Sequence, residues 1–231
     1  MGHRADGPGC VPDATGFVLA GGQSSRMGRD KALLEFAGQP LIVRALSILR
    51  DAGLPAAIAG GSASLAAFAP IVRDAESGPE SGPESSQGPL AGICSALAAT
   101  PARYAVFVSV DMPFLPPSLL VFLLHHARIT GRAITIPSLN GFAQTFPAVI
   151  ERAALPPLEA ELAAGRNGCF AAFQAAATDL RQPMSQVAVE LIVQSGHVAH
   201  PQGLAPFRWF LNLNTPADLA RAESLAARTI A

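Results

Sequence analysis

One short stretch near the amino terminus carries residue types that could bind phosphate groups. The sequence LAGGQSSRMGRDK runs from Leu19 to Lys31 and directly follows the apolar residues GFV. Adjacent glycines let the backbone approach an anion closely and direct its N–H groups towards it. Arginine offers a planar hydrogen-bonding fork, and lysine a compact cation, for the charges of a polyphosphate. We therefore predict a phosphate-binding loop that uses Gly21, Gly22, Arg26 and Lys31.

The spacing of these residues excludes the two commonest phosphate loops. The G-x-G-x-x-G pattern of dinucleotide-binding oxidoreductases is absent, and so is the G-K-[ST] ending of a P-loop. In a P-loop the Ser or Thr after the lysine binds the metal ion, but Ala32 follows Lys31 here. If a metal ion takes part, its ligand must therefore come from another segment of the chain.

A carboxylate at the end of an apolar segment is the best candidate for that ligand. Asp111 ends VFVSVD, and carboxylates are seldom buried unless they are paired, so packing explains this residue poorly. Mg²⁺ prefers one or two carboxylates together with waters and substrate phosphates. Asp111 is therefore a candidate Mg²⁺ ligand. A cap for the following turn is the alternative role.

The elements that must position these residues alternate between short apolar strands and helices. We predict strands in TGFVLAG, AAIAG, IVRD, AVFVSVD, AITIPS and QTFPAVI. We predict helices in PLIVRALSILRDAG, GPLAGICSALAAT, PPSLLVFLLHHARITG and TPADLARAESLAARTIA, and a helix broken by two prolines in RAALPPLEAELAAG. Such alternation predicts an α/β fold, a three-layer α/β/α domain with a mainly parallel sheet. Ligands bind beyond the carboxyl ends of such strands, where the Gly-rich loop and Asp111 both fall.

Two segments are expected to lie outside this packed domain. Residues 1–14 have the composition of a flexible tail, which leaves a single domain over residues 15–231. The tetrapeptide SGPE occurs twice in the stretch SGPESGPESSQ, and Gly, Pro, Ser and Glu cannot build a core. We therefore predict a flexible loop over residues 76–87. Because this loop precedes GPLAG, the alternative is a mobile flap beside the site.

Composition narrows the choice of partners and of compartment. A net charge of −1 argues against nucleic acid as a ligand. The apolar runs are too short for a membrane span, which needs about 20 residues. The 3 cysteines lie far apart and make no pairing or zinc-binding pattern, which predicts a reducing compartment, the cytoplasm.

Four motifs taken together resemble the molybdenum cofactor guanylyltransferases, within the NTP-transferase superfamily. In order they are LAGGQSSRMGRDKALLEFAGQPL, GPLAGICSAL, VDMPFLPPSLL and LNLNTPADL. They occur in the order typical of that family and spread from Thr15 to Leu219. The resemblance implies a Rossmann-like nucleotidyltransferase fold. It also implies transfer of GMP from GTP to the terminal phosphate of molybdopterin, with release of pyrophosphate and formation of the molybdopterin guanine dinucleotide.

The same resemblance implies a role for each matching residue. The implied nucleotide contacts are Leu19, Ala20, Gly21, Gly22, Arg26, Lys31, Asp74 and Asp111. Of these, Arg26, Lys31 and Asp111 are the implied catalytic residues, and Asp111 would also bind Mg²⁺. Asn212 and Asn214 would lie on the pterin side, where a polar residue could also ligate the metal ion.

The resemblance also sets the expected partners and the rival functions. The expected partners are GTP, molybdopterin, other molybdenum cofactor proteins and the apo-molybdoenzymes that receive the product. The family usually has an Asn-containing turn that contacts the nucleotide, but Ala59-Gly60-Gly61 stands at that place. That contact is then lost, made by backbone or replaced by Ser62. The rival functions are a cytidylyltransferase acting on the same pterin and a non-catalytic carrier of the finished cofactor.

Overall fold

A computed structural model describes residues 13–20, 30–73 and 88–230 of the 231-residue chain. Its strands are β1 (Ala14–Leu19), β2 (Glu35–Phe36), β3 (Gln39–Pro40), β4 (Ala56–Ala59), β5 (Ile71–Val72), β6 (Tyr104–Ser109), β7 (Ile134–Leu139), β8 (Phe142–Ala143), β9 (Ala148–Glu151) and β10 (Ser185–Ala188). Its helices are α1 (Leu41–Asp51), α2 (Pro89–Ala99), α3 (Pro117–Thr130), α4 (Leu155–Ala163), α5 (Cys169–Asp179), α6 (Val189–Gln194), α7 (Pro206–Trp209) and α8 (Pro216–Ile230). Short 3₁₀ helices cover Lys31–Leu33, Ala63–Ala67 and Arg152–Ala154.

The central sheet has the strand order β10-β7-β9-β6-β1-β4-β5, with β8 added beside β7. Strand β1 pairs in parallel with β4 and with β6, β4 with β5, and β10 with β7. Strand β9 runs antiparallel between β6 and β7. The prediction of a mainly parallel sheet is therefore confirmed, with β8 and β9 running against the other strands.

A tight turn explains how β9 comes to run in the opposite direction. Asn140 and Gly141 follow β7 with φ angles of 51° and 79°, the backbone conformation that a two-residue hairpin turn requires. The turn sends the chain back along β7 as β8, and the chain then continues into β9. A parallel strand would instead need a crossover connection of a dozen or more residues.

Two hydrophobic clusters hold helices against the two faces of the sheet. Along β6, Tyr104, Val106 and Val108 belong to one cluster, whereas Ala105 and Phe107 belong to the other. The first cluster includes side chains of α1, α3, α6 and α8, and the second includes side chains of α2, α4 and α5. Side chains alternate between faces along a strand, so β6 contributes to both cores. The expected three-layer architecture is confirmed.

The helix boundaries follow local sequence signals, with one difference from the expectation. Gly131 adopts a left-handed conformation with φ of 63°, and its N–H donates to the Ala127 carbonyl, which ends α3. Pro156 and Pro157 do not interrupt a helix but lie in the first turn of α4. A proline is tolerated there because the first N–H groups of a helix have no partner within it. The sequence analysis did not predict α5, β10, α6 or α7.

Three sequence predictions fall largely outside the described residues. The tail of residues 1–14 and the loop of residues 76–87 stay predictions, and so does the limit of the domain at residues 15–231. Within the described ranges, no helix has the length and apolar character to cross a bilayer.

Candidate active site

Four segments that are distant in sequence meet at the carboxyl end of the central sheet. Leu19 ends β1 and pairs in register with Ser109, which ends β6. Asp111 follows β6 by two residues, and Asn214 lies just before α8. Lys31 begins the 3₁₀ helix Lys31–Leu33. Because β1 and β6 are adjacent parallel strands whose last residues pair in register, their carboxyl ends lie side by side.

The Lys31 ammonium group joins three of these segments. Its Nζ donates to Asp111 Oδ2 at 2.6 Å and to Asn214 Oδ1 at 2.8 Å. The other carboxylate oxygen of Asp111 accepts a hydrogen bond of 2.5 Å from the Ser109 hydroxyl. The backbone reinforces the contact, since the Leu213 N–H donates to the Asp111 carbonyl at 3.0 Å. The sequence-predicted residues Lys31, Asp111 and Asn214 are thus brought together.

A capping arrangement at the start of α8 fixes the position of Asn214. The Asp218 N–H donates to Thr215 Oγ1 at 3.1 Å, and Asp218 Oδ2 accepts from the Thr215 N–H at 2.9 Å. The two residues satisfy each other's backbone donors as in a capping box. The Asn214 N–H also donates to Asp218 Oδ2 at 3.2 Å. Hydrogen bonding from the Thr215 hydroxyl lowers the pKa of Asp218, so this carboxylate is ionised at neutral pH.

Asp30 positions Lys31 by two hydrogen bonds. Asp30 Oδ1 accepts from the Ala32 N–H at 3.0 Å and caps the 3₁₀ helix that Lys31 begins. Asp30 Oδ2 accepts from the Ser62 hydroxyl at 2.8 Å, and Ser62 Oγ lies 2.7 Å from Ser64 Oγ. The loop after β4 is therefore tied directly to the residue that precedes Lys31.

Arg44 supports the loop that carries Asp111. Its Nε donates to the Pro113 carbonyl at 2.6 Å, and its guanidinium lies 5.2 Å from the centre of the Phe36 ring. The Phe36 ring in turn packs edge-on against Phe114, with 5.5 Å between the ring centres. Burial lowers the pKa of Arg44, which nevertheless stays protonated because arginine titrates far above neutral pH.

The loop that departs from the family pattern brings backbone, not an amide side chain, to the end of β1. Ala20 N–H donates to the Ala59 carbonyl at 3.2 Å. Gly61 has a φ of 86°, and a Cβ added to it would lie 2.8 Å from Leu65 Cδ1 and 3.2 Å from Ala20 Cβ. A larger residue would therefore be strained and crowded, so glycine keeps this loop close to Ala20. The Ser62 hydroxyl is engaged with Asp30.

The structure brings together part of the predicted site. Leu19, Ala20, Lys31, Asp111 and Asn214 lie at the same end of the sheet, and Asn212 is exposed two residues before Asn214. Gly21, Gly22, Arg26 and Asp74 lie outside the described residues, so their roles stay predictions. The sequence analysis missed the supporting residues Ser109 and Arg44, and it considered Ser62 only as a replacement nucleotide contact, not as a partner of Asp30. Only the tertiary contacts show their roles, although the polar pair Ser109 and Asp111 at the end of a strand was a usable signal.

The donor atoms of the site suit a hard divalent cation. A carboxylate oxygen of Asp111 and the amide oxygen of Asn214 converge on one cationic atom, Lys31 Nζ. Oxygen ligands with a single carboxylate, completed by water and phosphate oxygens, are what Mg²⁺ commonly uses. In the parts of the chain that the structure describes, no group of three or more His, Cys, Asp and Glu side chains could hold a metal ion.

Comparison with known proteins shows the family of the chain. The family model of the MobA-like NTP transferase domain matches residues 16–181. The chain belongs to the MobA-like NTP transferase family. It is 34% identical over 212 residues to the molybdenum cofactor guanylyltransferase of Rhodobacter capsulatus, covering 90% of this chain and 94% of that protein.

Solved structures agree on the fold of this MobA-like chain. The molybdopterin-guanine dinucleotide biosynthesis protein A of Archaeoglobus fulgidus superposes with a TM-score of 0.72 at 23% identity, over 93% of this chain and 99% of that one. The manganese complex of Rv0371c from Mycobacterium tuberculosis superposes with a TM-score of 0.58 at 19% identity, over 93% of this chain and 100% of that one. These superpositions show the Rossmann-like fold, and the family match shows that the MobA-like chain is a nucleotidyltransferase.

Proposed function

We propose that this nucleotidyltransferase transfers GMP from GTP to the terminal phosphate of molybdopterin and releases pyrophosphate. The observation that carries the proposal is the Lys31 ammonium group held by Asp111 and Asn214. This arrangement offers a cation for phosphate and a carboxylate for a metal ion at the ligand-binding end of the sheet. The function of the Rhodobacter capsulatus relative, stated in its name, supports the choice of nucleotide and acceptor.

The reaction needs no protein nucleophile. An oxygen of the terminal phosphate of molybdopterin forms a bond to the α-phosphorus of GTP, while the bond from that phosphorus to the bridging oxygen of pyrophosphate breaks. The attacking phosphate is already anionic at neutral pH, so catalysis rests on alignment and on charge neutralisation. Lys31 and Arg26 would neutralise the charge that develops on the departing pyrophosphate.

Asp111 and Asn214 would hold a divalent cation, for which we propose Mg²⁺. Bound there, Mg²⁺ would neutralise charge on the phosphate oxygens of the substrate. The two oxygen atoms that would serve as ligands now accept hydrogen bonds from Lys31. With GTP bound, the Lys31 ammonium group would turn to the triphosphate and release these oxygens. The Ser109 hydroxyl would continue to orient the Asp111 carboxylate.

The remaining predicted residues divide between the nucleotide and the acceptor. Main-chain groups of Leu19, Ala20 and Gly21 would contact the guanine nucleotide, with Gly22 at its phosphates and Asp74 as a further nucleotide contact. Asn212 and Asn214 would face the pterin. We propose the cytoplasm as the compartment, and other molybdenum cofactor proteins and apo-molybdoenzymes as the partners that supply the acceptor and receive the product.

A cytidylyltransferase acting on the same pterin is the second candidate, because the amide side chain that usually contacts the nucleotide in this family is absent here. The loop Ala59-Gly60-Gly61 presents backbone near Ala20 where the family usually has an amide side chain. A base held by backbone alone is selected by the size and edge pattern of the pocket, so the choice between guanine and cytosine depends on groups other than this loop.

Pyrophosphate release with each of the four NTPs, with and without molybdopterin, tests the proposal. We expect release only when GTP, molybdopterin and Mg²⁺ are all present. Release with CTP in place of GTP would favour the cytidylyltransferase. Nucleotide and cofactor binding without pyrophosphate release would instead favour the non-catalytic carrier.

A further inference from the structure

Two apolar side chains stand exposed at the carboxyl end of the sheet, on the side of β7 and β10. Phe142 in β8 is 75% exposed, and Leu191 in α6 is 66% exposed. The Asn140 N–H donates to the Glu190 carboxylate, which joins the β7–β8 hairpin to α6. Single exposed apolar residues are common on protein surfaces and do not by themselves indicate a binding site. The position of these residues relative to the candidate active site is therefore the relevant observation.

The strand register places Phe142 level with the end of β6. Val149 of β9 pairs with Val106 of β6 and with Thr135 of β7. Four residues further towards the carboxyl end of each strand, Val110 follows β6 and Leu139 ends β7, so these two residues are level. Leu139 pairs with Phe142. Asp111 is the residue after Val110, so the exposed ring and the candidate metal ligand lie at nearly the same height.

The hairpin also lies on the side of β7 that faces β6. At this height Ala188 of β10 pairs with Ser138 and fills the other side of β7. Strand β9 begins only at Ala148, which pairs with Phe107 of β6. Nearer the carboxyl end of β7, the position beside β7 is therefore occupied by β8 and not by β9. Where β9 lies between them, β7 and β6 are two strand spacings of about 4.8 Å apart. The hairpin lies on that side of β7 beyond the start of β9.

The exposure of Phe142 does not come from a loose backbone. Its carbonyl accepts a hydrogen bond of 3.2 Å from Gln144 Nε2, and the Gln144 N–H donates to the Pro137 carbonyl at 2.8 Å. The contact of Asn140 with Glu190 holds the turn from the other side. An aromatic ring that is carried by a fixed backbone and open to solvent can stack on a flat ligand.

We propose that Phe142 binds the acceptor by stacking on the flat heterocycle of the pterin, while the phosphate end of the acceptor lies at the metal ion that Asp111 and Asn214 would hold. The inference rests on the proposed function and adds a residue to its acceptor side. It assigns the β7–β8 hairpin to the acceptor and the β1–β4 side of the sheet to the nucleotide. Stacking on an aromatic ring accepts any flat heterocycle, so Phe142 contributes affinity and leaves selection to the amides of Asn212 and Asn214.

The test compares Phe142→Ala, Phe142→Tyr and Ile129→Ala with the unaltered chain. Ile129 is 72% exposed and lies near the end of α3, so Ile129→Ala is a matched loss of exposed apolar surface away from the site. We expect Phe142→Ala to raise the KM for molybdopterin about 10-fold or more, because stacking contributes a factor of that order. The KM for GTP should stay within about twofold, and both Phe142→Tyr and Ile129→Ala should behave as the unaltered chain.

A second measurement separates this inference from the proposed function. Binding of molybdopterin without nucleotide, measured by equilibrium dialysis, should weaken in Phe142→Ala by a factor similar to the rise in KM. Unchanged binding and unchanged KM in Phe142→Ala, with an active unaltered chain, would overturn the inference alone. An unaltered chain that neither binds molybdopterin nor releases pyrophosphate would overturn the proposed function and this inference with it.

Discussion

Ion pairs lie at both ends of the parallel strands, and they differ in burial and in the number of their partners. At the carboxyl end, the side chains of Lys31 and Asp111 are 20% and 15% exposed. Asn214 and Ser109 add hydrogen bonds to this pair. At the amino end, Arg128 and Asp13 form a pair whose side chains are 42% and 48% exposed. Within the described parts of the chain, no other side chain forms a hydrogen bond with that second pair.

The difference favours the pair at the carboxyl end as the one that would bind a ligand. Exposed ion pairs contribute about 0 to 1 kcal/mol because water screens them and their side chains lose freedom. A shielded pair linked to further polar groups is unusual on grounds of stability alone and is typical of functional sites. The contacts of Lys31 span 80 residues to Asp111 and 183 residues to Asn214, so the whole fold maintains them.

The largest expected effect follows from Asp111→Asn. This change keeps the shape of the side chain but removes the charge that pairs with Lys31 and would hold the metal ion. We expect pyrophosphate release from GTP to fall about 100- to 1000-fold, as when one preorganised stabilising group is lost from an active site. Steady-state kinetics with molybdopterin and Mg²⁺ measure the loss. Turnover near that of the unaltered chain would show that the carboxylate charge is not needed.

A smaller effect is expected from Ser62→Ala, which removes the hydrogen bond to Asp30. Lys31 would then keep its helix cap but lose the tie to the loop after β4. Because one hydrogen bond to a charged group contributes about 1.5 to 3 kcal/mol, we expect kcat/KM for GTP to fall about 10-fold. Ser64→Ala is the matched control, since it leaves the bond between Ser62 and Asp30 in place. Equal effects of the two changes would contradict a positioning role for Ser62.

The cap of α8 should give a pH-dependent contribution to stability. The Thr215 hydroxyl lowers the pKa of Asp218 in the folded chain below the unfolded value of about 3.9. A lowered pKa means that the stabilisation is fully present above the unfolded pKa and is lost as the pH falls through the folded pKa. Asp218→Asn should therefore lower Tm at pH 7, and the difference from the unaltered chain should shrink towards pH 3. Thermal unfolding at the two pH values measures it, and a constant difference would rule out a charged cap.

The smallest effect is expected at the amino end of the sheet. Arg128→Ala should lower stability by about 1 kcal/mol or less, and hence Tm by less than about 4 °C, because the pair with Asp13 is exposed. Salt at 1 M should reduce even that difference, since it screens exposed charges. Turnover should not change. A loss of activity comparable to that of Asp111→Asn would remove the contrast between the two ends of the sheet.

Local signals predicted those elements whose sequences contain them. The apolar runs of β1 and β6, the glycine after α3 and the polar start of α8 all specify local backbone geometry, and the structure follows them. The hairpin turn Asn140-Gly141 was equally readable, because this dipeptide favours the positive φ angles of a two-residue turn. The direction of β9 was not readable from its own residues, because AVIE would fit a parallel or an antiparallel neighbour equally well.

The amino-acid sequence by itself determined which functional groups are available for binding and catalysis. These are a Gly-rich stretch ending in Asp30-Lys31, a carboxylate beyond a buried strand, and amides before the last helix. These are properties of residue type and short spacing. Only the tertiary structure decided that Lys31 meets Asp111 and Asn214, that Ser62 holds Asp30, and that Phe142 stands level with Asp111. The physical reason is that strand order and strand direction bring distant segments together, and no local pattern in the chain encodes which strands become neighbours.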